Sequence, residues 1–271
     1  MLTGVPKTAL GVARIRAGES KRADRLFDDP LASAFVAAMP DAYSDQPERS
    51  ETAKLIGARV ALQVIVRTRF YDDYLLAATA DGIRQVVLLA AGLDTRAFRL
   101  LWPDGTTVFE VDLPETTGFK NDVLIHADAR PLCARQVVIA DLTADWPAVL
   151  NNAGFDASQP TAWLIEGLLV YLTHDDAARV LDTVAGLSAT GSQLSCEQGR
   201  GAKQLAEIAA VRAAAGAGEA ISLWQGGIED VSGWLEQHGW TAERHDLGEL
   251  AEAYGRGTAA ESTSGFVIAR R

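Results

Sequence analysis

Two rhythms of apolar and polar positions divide the chain. From about residue 8 to residue 80, apolar side chains recur at spacings of three and four with no strand-like run, and breakers fall near Gly18, Pro30 and Pro40-Asp41. This spacing predicts helices. The segment 50–80 carries Leu55, Ile56, Val60, Leu62, Val64, Ile65, Val66, Phe70, Tyr74 and Leu75, and reads as a long helix with room for one break. After Asp81-Gly82 the pattern changes to short apolar runs separated by 10 to 20 residues of helix or loop, the alternation that builds a parallel sheet. Parallel strands are predicted at 85–90, 107–111, 137–142, 162–166 and 193–197, and helices at 95–101, 114–125, 146–151, 175–187, 201–215 and 230–238. The ending breaks the alternation, because two strand-like runs, 240–246 and 264–269, enclose a short helical piece at 247–254. That arrangement predicts an antiparallel hairpin closing the sheet. The Ala- and Gly-rich stretch 209–220 reads as a mobile helix end or a lid.

The pattern therefore predicts an α/β chain: a helical extension over residues 1–80, then a doubly wound sheet over 81–271. Ligands of such sheets bind outside the carboxyl ends of the strands, where the strand order reverses. Gly92, Asp112, Asp141 and Glu166 stand at four successive ends. The first end is the most informative. Five apolar residues, Val86 to Ala90, run up to Gly92, where the backbone can turn sharply and a ligand meets no Cβ; Asp94 and Thr95 can then cap a helix. Asp112 follows Gly92 by 20 residues, the distance at which such folds place an acid on a ribose. A glycine turn with that acid suggests an adenosine-bearing cofactor. A nicotinamide dinucleotide is the rival, but the second and third glycines of its G-x-G-x-x-G fingerprint are missing, and Asp94 would repel a diphosphate.

Composition narrows the classes. With 36 acidic and 25 basic side chains among 271 residues the formal charge is −11, which disfavours nucleic acid and anionic membrane surfaces as partners. A hydrophobic share of 48% with 23% charged residues disfavours disorder and coiled coil. Cys133 and Cys196 lack metal-ligand spacing and read as reduced core residues. No apolar run approaches a membrane span, and the first 25 residues mix both charges where a signal peptide would be apolar, so a cytoplasmic protein is expected.

Four segments occur in a distinctive order and spacing: AAGLDTRAFRL (90–100), FEVDLPE (109–115), ADLTADW (140–146) and WLIEGLLVYL (163–172). Together with RIRAGESKRADRLFDDPLA (14–32), RTRFYDD (67–73) and LAEAYGR (250–256), they make the chain resemble class I S-adenosylmethionine-dependent methyltransferases. The resemblance is to the leucine carboxyl methyltransferase-like group, which includes bacterial O-methyltransferases of polyketide and other secondary metabolism. It implies a Rossmann-like sheet of seven mostly parallel strands under an N-terminal helical lid, S-adenosylmethionine as cofactor, and O-methylation of a small-molecule acceptor. One departure stands in the loop, where the usual pair of glycines is Ala90 and Gly92.

The resemblance implies further that Gly92 and Asp94 lie against the methionyl part of the cofactor, with Ala90 and Leu113 in the same loops. Asp112 would accept from the ribose hydroxyls, Asp141 and Leu142 flank the adenine, and Glu166 approaches the amine. The cofactor carboxylate calls for a cation, with Arg69 the first candidate, Arg16 the second and Lys21 the third. Arg96 and Arg99 read as packing or local pairs. A carboxylate acceptor is already ionised at neutral pH and needs no base, whereas a phenol or alcohol wants one. Tyr171 and His174 are the weak candidates for that task, although Thr173-His174 also reads as a capped helix start. Phe27, Leu31, Phe35, Val36, Met39, Phe70 and Tyr74 are candidates to roof an acceptor pocket, with Trp224 and Trp234 on its other side, although most of them must simply pack.

Overall fold

The computed structural model describes residues 7–40, 50–199, 224–257 and 265–271. Three helices come first: α1 (Lys7–Ser20), α2 (Pro30–Ala37) and α3 (Glu51–Ala80). Gly18 lies inside α1 without ending it, and α3 runs its 30 residues unbroken. Then follow β1 (Gln85–Leu89), α4 (Arg96–Arg99), β2 (Thr107–Asp112), α5 (Pro114–His126), β3 (Ala134–Ile139), α6 (Trp146–Asn152) and β4 (Thr161–Ile165). A 3₁₀ turn (Leu169–Tyr171), α7 (His174–Gly186), β5 (Gln193–Glu197), α8 (Val231–Gln237), β6 (Thr241–Asp246), α9 (Leu247–Ala253) and β7 (Gly265–Arg270) complete the order. Proline opens α2 and α5 and stands second in α6, where a missing N–H is harmless. The helix and lid predicted within 201–220 lie outside the described residues.

All seven strands form one sheet in the order β3-β2-β1-β4-β5-β7-β6. β1 to β5 pair in parallel, and β7 inserts antiparallel between β5 and β6, as the C-terminal pattern predicted. Alternate residues of the buried strands feed two cores. Val87, Leu89, Phe109, Val111, Trp163 and Ile165 face one layer with α6, α7 and α8, while Val86, Leu88, Val108, Ala162 and Leu164 face α3, α4 and α9. A third cluster joins α1, α2 and α5 through Leu10, Ala13, Phe35, Phe119 and Leu93, which seats the N-terminal helices beside the loop after β1.

Chain direction across the sheet reverses between β1 and β4. Leu89 pairs with Ile165, so Ala90 and Glu166 leave the sheet side by side at this switch point. One prediction needs correction, and one choice between pocket and core is decided. β3 begins three residues earlier than predicted, because its pairing with β2 starts at Ala134 and ends at Ile139, leaving Asp141 two residues beyond the strand. Phe70 and Tyr74 are core: Phe70 stacks on Phe266 at 4.9 Å between ring centres, and the Tyr74 hydroxyl donates to the Trp163 carbonyl at 3.1 Å. Phe35 packs on Phe119 of α5, and Trp234 stacks on His238.

Candidate functional site

The loop after β1 is folded onto the end of β2 by two hydrogen bonds and closed on itself by a third. Ala91 N–H donates to the Val111 carbonyl at 3.1 Å, Gly92 N–H to Asp112 Oδ2 at 2.5 Å, and Asp94 N–H to the Ala91 carbonyl at 2.9 Å. Asp112 Oδ1 accepts from Leu113 N–H at 2.7 Å. Each Asp112 oxygen thus keeps a lone pair for another donor. Ala140 N–H donates to the Asp112 carbonyl at 3.0 Å, which brings Asp141 and the half-buried Leu142 alongside. Asp141 itself is exposed and turned onto Thr143, whose N–H and hydroxyl hold its carboxyl below the usual range. Leu113 is exposed beside Asp112.

Ala90 and Gly92 both adopt left-handed φ, +53° and +51°. The tight turn therefore demands at Ala90 a conformation that glycine takes freely and alanine resists. Ala90→Gly is expected to raise the unfolding free energy by about 1 kcal/mol, read from the shift of the urea midpoint.

Beside this loop lies a buried ionic cluster built from four elements. Arg96, 1% exposed, donates from Nε to Asp72 at 2.7 Å and from Nη1 to Glu166 at 2.8 Å and to Asp94 Oδ2. Arg99 reaches Asp72 at 2.6 Å. Arg67 bridges Glu166 and Glu197, each at 2.9 Å, and Glu197 also accepts from Gly167 N–H at 2.9 Å. Asp94 caps α4 by accepting from Arg96 N–H at 2.6 Å. Thr95 occupies the cap position without a capping bond; its hydroxyl accepts from Arg99 instead.

Four carboxylates against three guanidinium groups leave this cluster acidic. Burial alone would push the carboxyls up. In Asp94 the nearby Arg96 and Lys120 outweigh burial and hold it at about 2, and in Glu166 the Arg67 and Arg96 charges hold it below its ordinary value. In Glu197 burial prevails, and its carboxyl is raised.

The structure gathers Ala90, Gly92, Asp94, Asp112, Leu113 and Glu166 around the switch point, with Asp141 and Leu142 at its β3 side. Arg16 of α1 reaches the same loop, donating from Nη2 to the Leu93 carbonyl while its Nε pairs with the buried Asp29 at 2.9 Å. Arg69 is elsewhere. It pairs with Asp73 at 2.9 Å, donates to the Leu26 carbonyl at 3.0 Å and lies over the Tyr254 ring. Two helical positions earlier, Arg67 points into the cluster that Arg69 misses. Lys21 is exposed. His174 is exposed at the start of α7, where Thr173 caps the helix by accepting from Asp176 N–H at 3.1 Å. Tyr171 is half-buried, and its carbonyl accepts from the Gln225 side chain at 3.0 Å. Arg67, Asp72 and Glu197 escaped the sequence reading, which took Arg96 for packing or a local pair. Glu197 ends a correctly placed strand and was accessible to strand-end logic, whereas the burial of Arg96 had no local signal.

Among the described residues no group of His, Cys, Asp and Glu is arranged to hold a metal ion, and no helix is long and apolar enough to cross a membrane. Cys196 is buried, and burial pushes the Cys133 thiol up to about 11.

A sheet in this order with a reversed seventh strand, a glycine turn after β1 and an acid ending β2 defines the class I methyltransferases. Solved structures share the architecture. Magnesium protoporphyrin IX methyltransferase of Synechocystis PCC 6803, with bound S-adenosylhomocysteine, superposes with a TM-score of 0.51 at 13% identity, covering 88% of this chain and 93% of that one. A DUF574 family protein of Streptomyces avermitilis superposes at 0.50 and 16% identity, covering 96% of each. At these identities the likeness speaks for the fold alone. The leucine carboxyl methyltransferase family profile matches residues 9–185. The chain belongs to that family. A protein of Parafrankia sp. strain EAN1pec named for S-adenosyl-L-methionine-dependent methyl transfer is 48% identical over 273 residues, covering 99% of this chain and 87% of its own length. One of Streptomyces coelicolor, named likewise, is 48% identical over 259 residues, covering 94% and 89%. The protein is an S-adenosylmethionine-dependent methyltransferase.

Proposed function

We propose that the enzyme methylates a carboxylate oxygen of a small-molecule acceptor, a polyketide or another secondary metabolite, with S-adenosylmethionine held at the ends of β1, β2 and β4. The cofactor supplies an electrophilic methyl on a sulfonium, and transfer is an in-line displacement that leaves the sulfur neutral. The residues suit such a group. Asp112 offers a lone pair on each oxygen to the two ribose hydroxyls, and Gly92 lets the backbone come close. Leu113 and Leu142 present apolar surface to an adenine beside Asp141. Asp94 and Glu166 are held ionised by their arginines and face the ammonium and sulfonium with negative charge, which counts for more in a poorly hydrated site. Arg67 takes the place proposed for Arg69 in holding the cofactor carboxylate, with Arg16 as second.

One observation carries the carboxylate reading: among the described residues no histidine stands at these strand ends. His126 is exposed at the end of α5, His174 is exposed on α7, His238 stacks on Trp234, and His245 sits on the edge strand β6 against Phe70. A carboxylate acceptor, with a pKa of about 4, is already ionised at neutral pH and has no need of a base. His174→Ala is accordingly expected to leave the methylation rate within a few-fold; a loss of about a hundredfold would speak for base-assisted hydroxyl methylation. The direct test supplies S-adenosylmethionine labelled in the methyl group together with the small-molecule fraction of a cell extract. The expected product releases labelled methanol under mild alkali, as an ester does. An alkali-stable ether overturns the carboxylate assignment.

A further inference from the structure

Three segments of the chain that lie outside the strand ends meet in one polar lattice. The first is the turn after α1, residues 21–29, which is closed by two buried carboxylates, Glu19 in the last turn of α1 and Asp29. Glu19 Oε1 accepts from Leu26 N–H at 2.8 Å, Asp29 Oδ1 from Ala32 N–H at 3.0 Å, and the Ser20 hydroxyl from Asp29 N–H at 2.8 Å. The second is α3, whose Arg69 donates to the Leu26 carbonyl and pairs with Asp73. The third follows α9. There the Tyr254 hydroxyl donates to Asp73 at 3.0 Å, and Arg256 donates to Glu19, to the Asp24 carbonyl and to Asp24 Oδ2, the last at 2.7 Å.

The inner end of this lattice touches the cofactor loop. Arg16 and Glu19 lie three residues apart on α1 and so share a face. Arg16 donates to the Leu93 carbonyl inside the Gly92–Asp94 turn, and Phe27 of the same turn after α1 packs under the Arg99 guanidinium, 5.6 Å from its ring centre. A continuous path of polar contacts and one helix turn therefore runs from Arg256 through Glu19 and Arg16 to Leu93.

A buried ion pair adds little net stability over a well-packed apolar pair, because desolvation offsets most of the attraction; what it can fix is geometry. Both side chains are largely dry here, 9% exposed for Arg256 and none for Glu19. We propose that the Glu19–Arg256 pair is the catch of a clamp that seats the N-terminal helices on the cofactor loop, which makes Arg256 a positioning residue for S-adenosylmethionine without touching it. The proposal rests on the assignment of that loop to the cofactor.

The test is a neutral double variant, Glu19→Gln with Arg256→Met, which removes both charges and leaves neither buried alone. S-Adenosylhomocysteine is titrated calorimetrically into wild type and variant well below the unfolding midpoint, and amide exchange of residues 91–96 is followed in both. The variant is expected to bind at least about fivefold more weakly, with faster exchange in the loop and an unfolding temperature within a few degrees of wild type. Arg256→Lys, which keeps the charge but loses the fork, should fall between the two. If the double variant does not fold, this single variant carries the test. Unchanged affinity with unchanged loop exchange overturns the clamp, and so does a lowered unfolding temperature with unchanged affinity, because that marks a purely structural pair. Failure of the wild type to bind would instead remove the loop's assignment to the cofactor, a separate result.

Discussion

Replacing Arg96 by methionine is expected to lower the unfolding free energy by about 3–5 kcal/mol, a large share of the roughly 5–15 kcal/mol that holds a typical domain folded. The side chain is 1% exposed and joins Asp72, Asp94 and Glu166. Asp72 keeps Arg99 and Glu166 keeps Arg67 when it is gone, but Asp94 loses the guanidinium paired directly with it while staying buried. The penalty is that of an uncompensated charge, which exceeds the net worth of the pair itself. Arg96→Lys should rescue little, since one ammonium cannot reach the separate directions served by Nε and Nη1. Urea unfolding of the three proteins checks this, and a loss below about 1 kcal/mol in the methionine variant would show that the cluster is not the structural hub described above.

The second large effect concerns binding. Asp112→Ala is expected to weaken S-adenosylhomocysteine at least about tenfold, because acceptors for the ribose hydroxyls disappear and Gly92 N–H loses its partner. 5′-Methylthioadenosine, which keeps the ribose but lacks the amino-acid end, should lose as much. Arg67→Lys makes the opposite comparison, weakening S-adenosylhomocysteine while leaving 5′-methylthioadenosine unchanged. Calorimetry with both ligands separates the two ends of the site, and equal losses for Arg67→Lys would move the carboxylate contact to Arg16.

Strand and helix placement was legible wherever one period dominates. β1 is an apolar run and both β1 and β2 are largely buried, α5 opens at a proline, and the antiparallel ending showed as two strand-like runs that break the alternation around a short helical piece. β3 was misplaced because it is an edge strand with only Val138 fully buried, so its pairing with β2 begins among polar residues that carry no apolar signal. At the site, positions at strand ends were legible, since topology alone puts Gly92, Asp112 and Glu166 together. Contacts between distant segments were not. Arg67 and Arg69 differ by two positions on α3, which turns their side chains to opposite faces, and α3 carries apolar residues over too much of its circumference for the sequence to say which face meets the sheet. Arg96 reads as a packing or locally paired arginine, and the pair with Asp94 is local, but its partners Asp72 and Glu166 lie 24 and 70 residues away and leave no local trace. The departure at Ala90 was legible but its backbone was not: Ala90 stands in the left-handed region together with Gly92, so the substituted position retains the demanding backbone of a glycine.

Titration of S-adenosylhomocysteine into the purified protein, with NAD as the parallel ligand, tests most directly whether the Gly92–Asp112 site serves S-adenosylmethionine. One equivalent per chain should bind saturably, Asp112→Ala should bind at least about tenfold more weakly, and NAD should give no saturable heat. Saturable NAD binding with no S-adenosylhomocysteine binding, or full S-adenosylhomocysteine affinity in Asp112→Ala, would contradict the account.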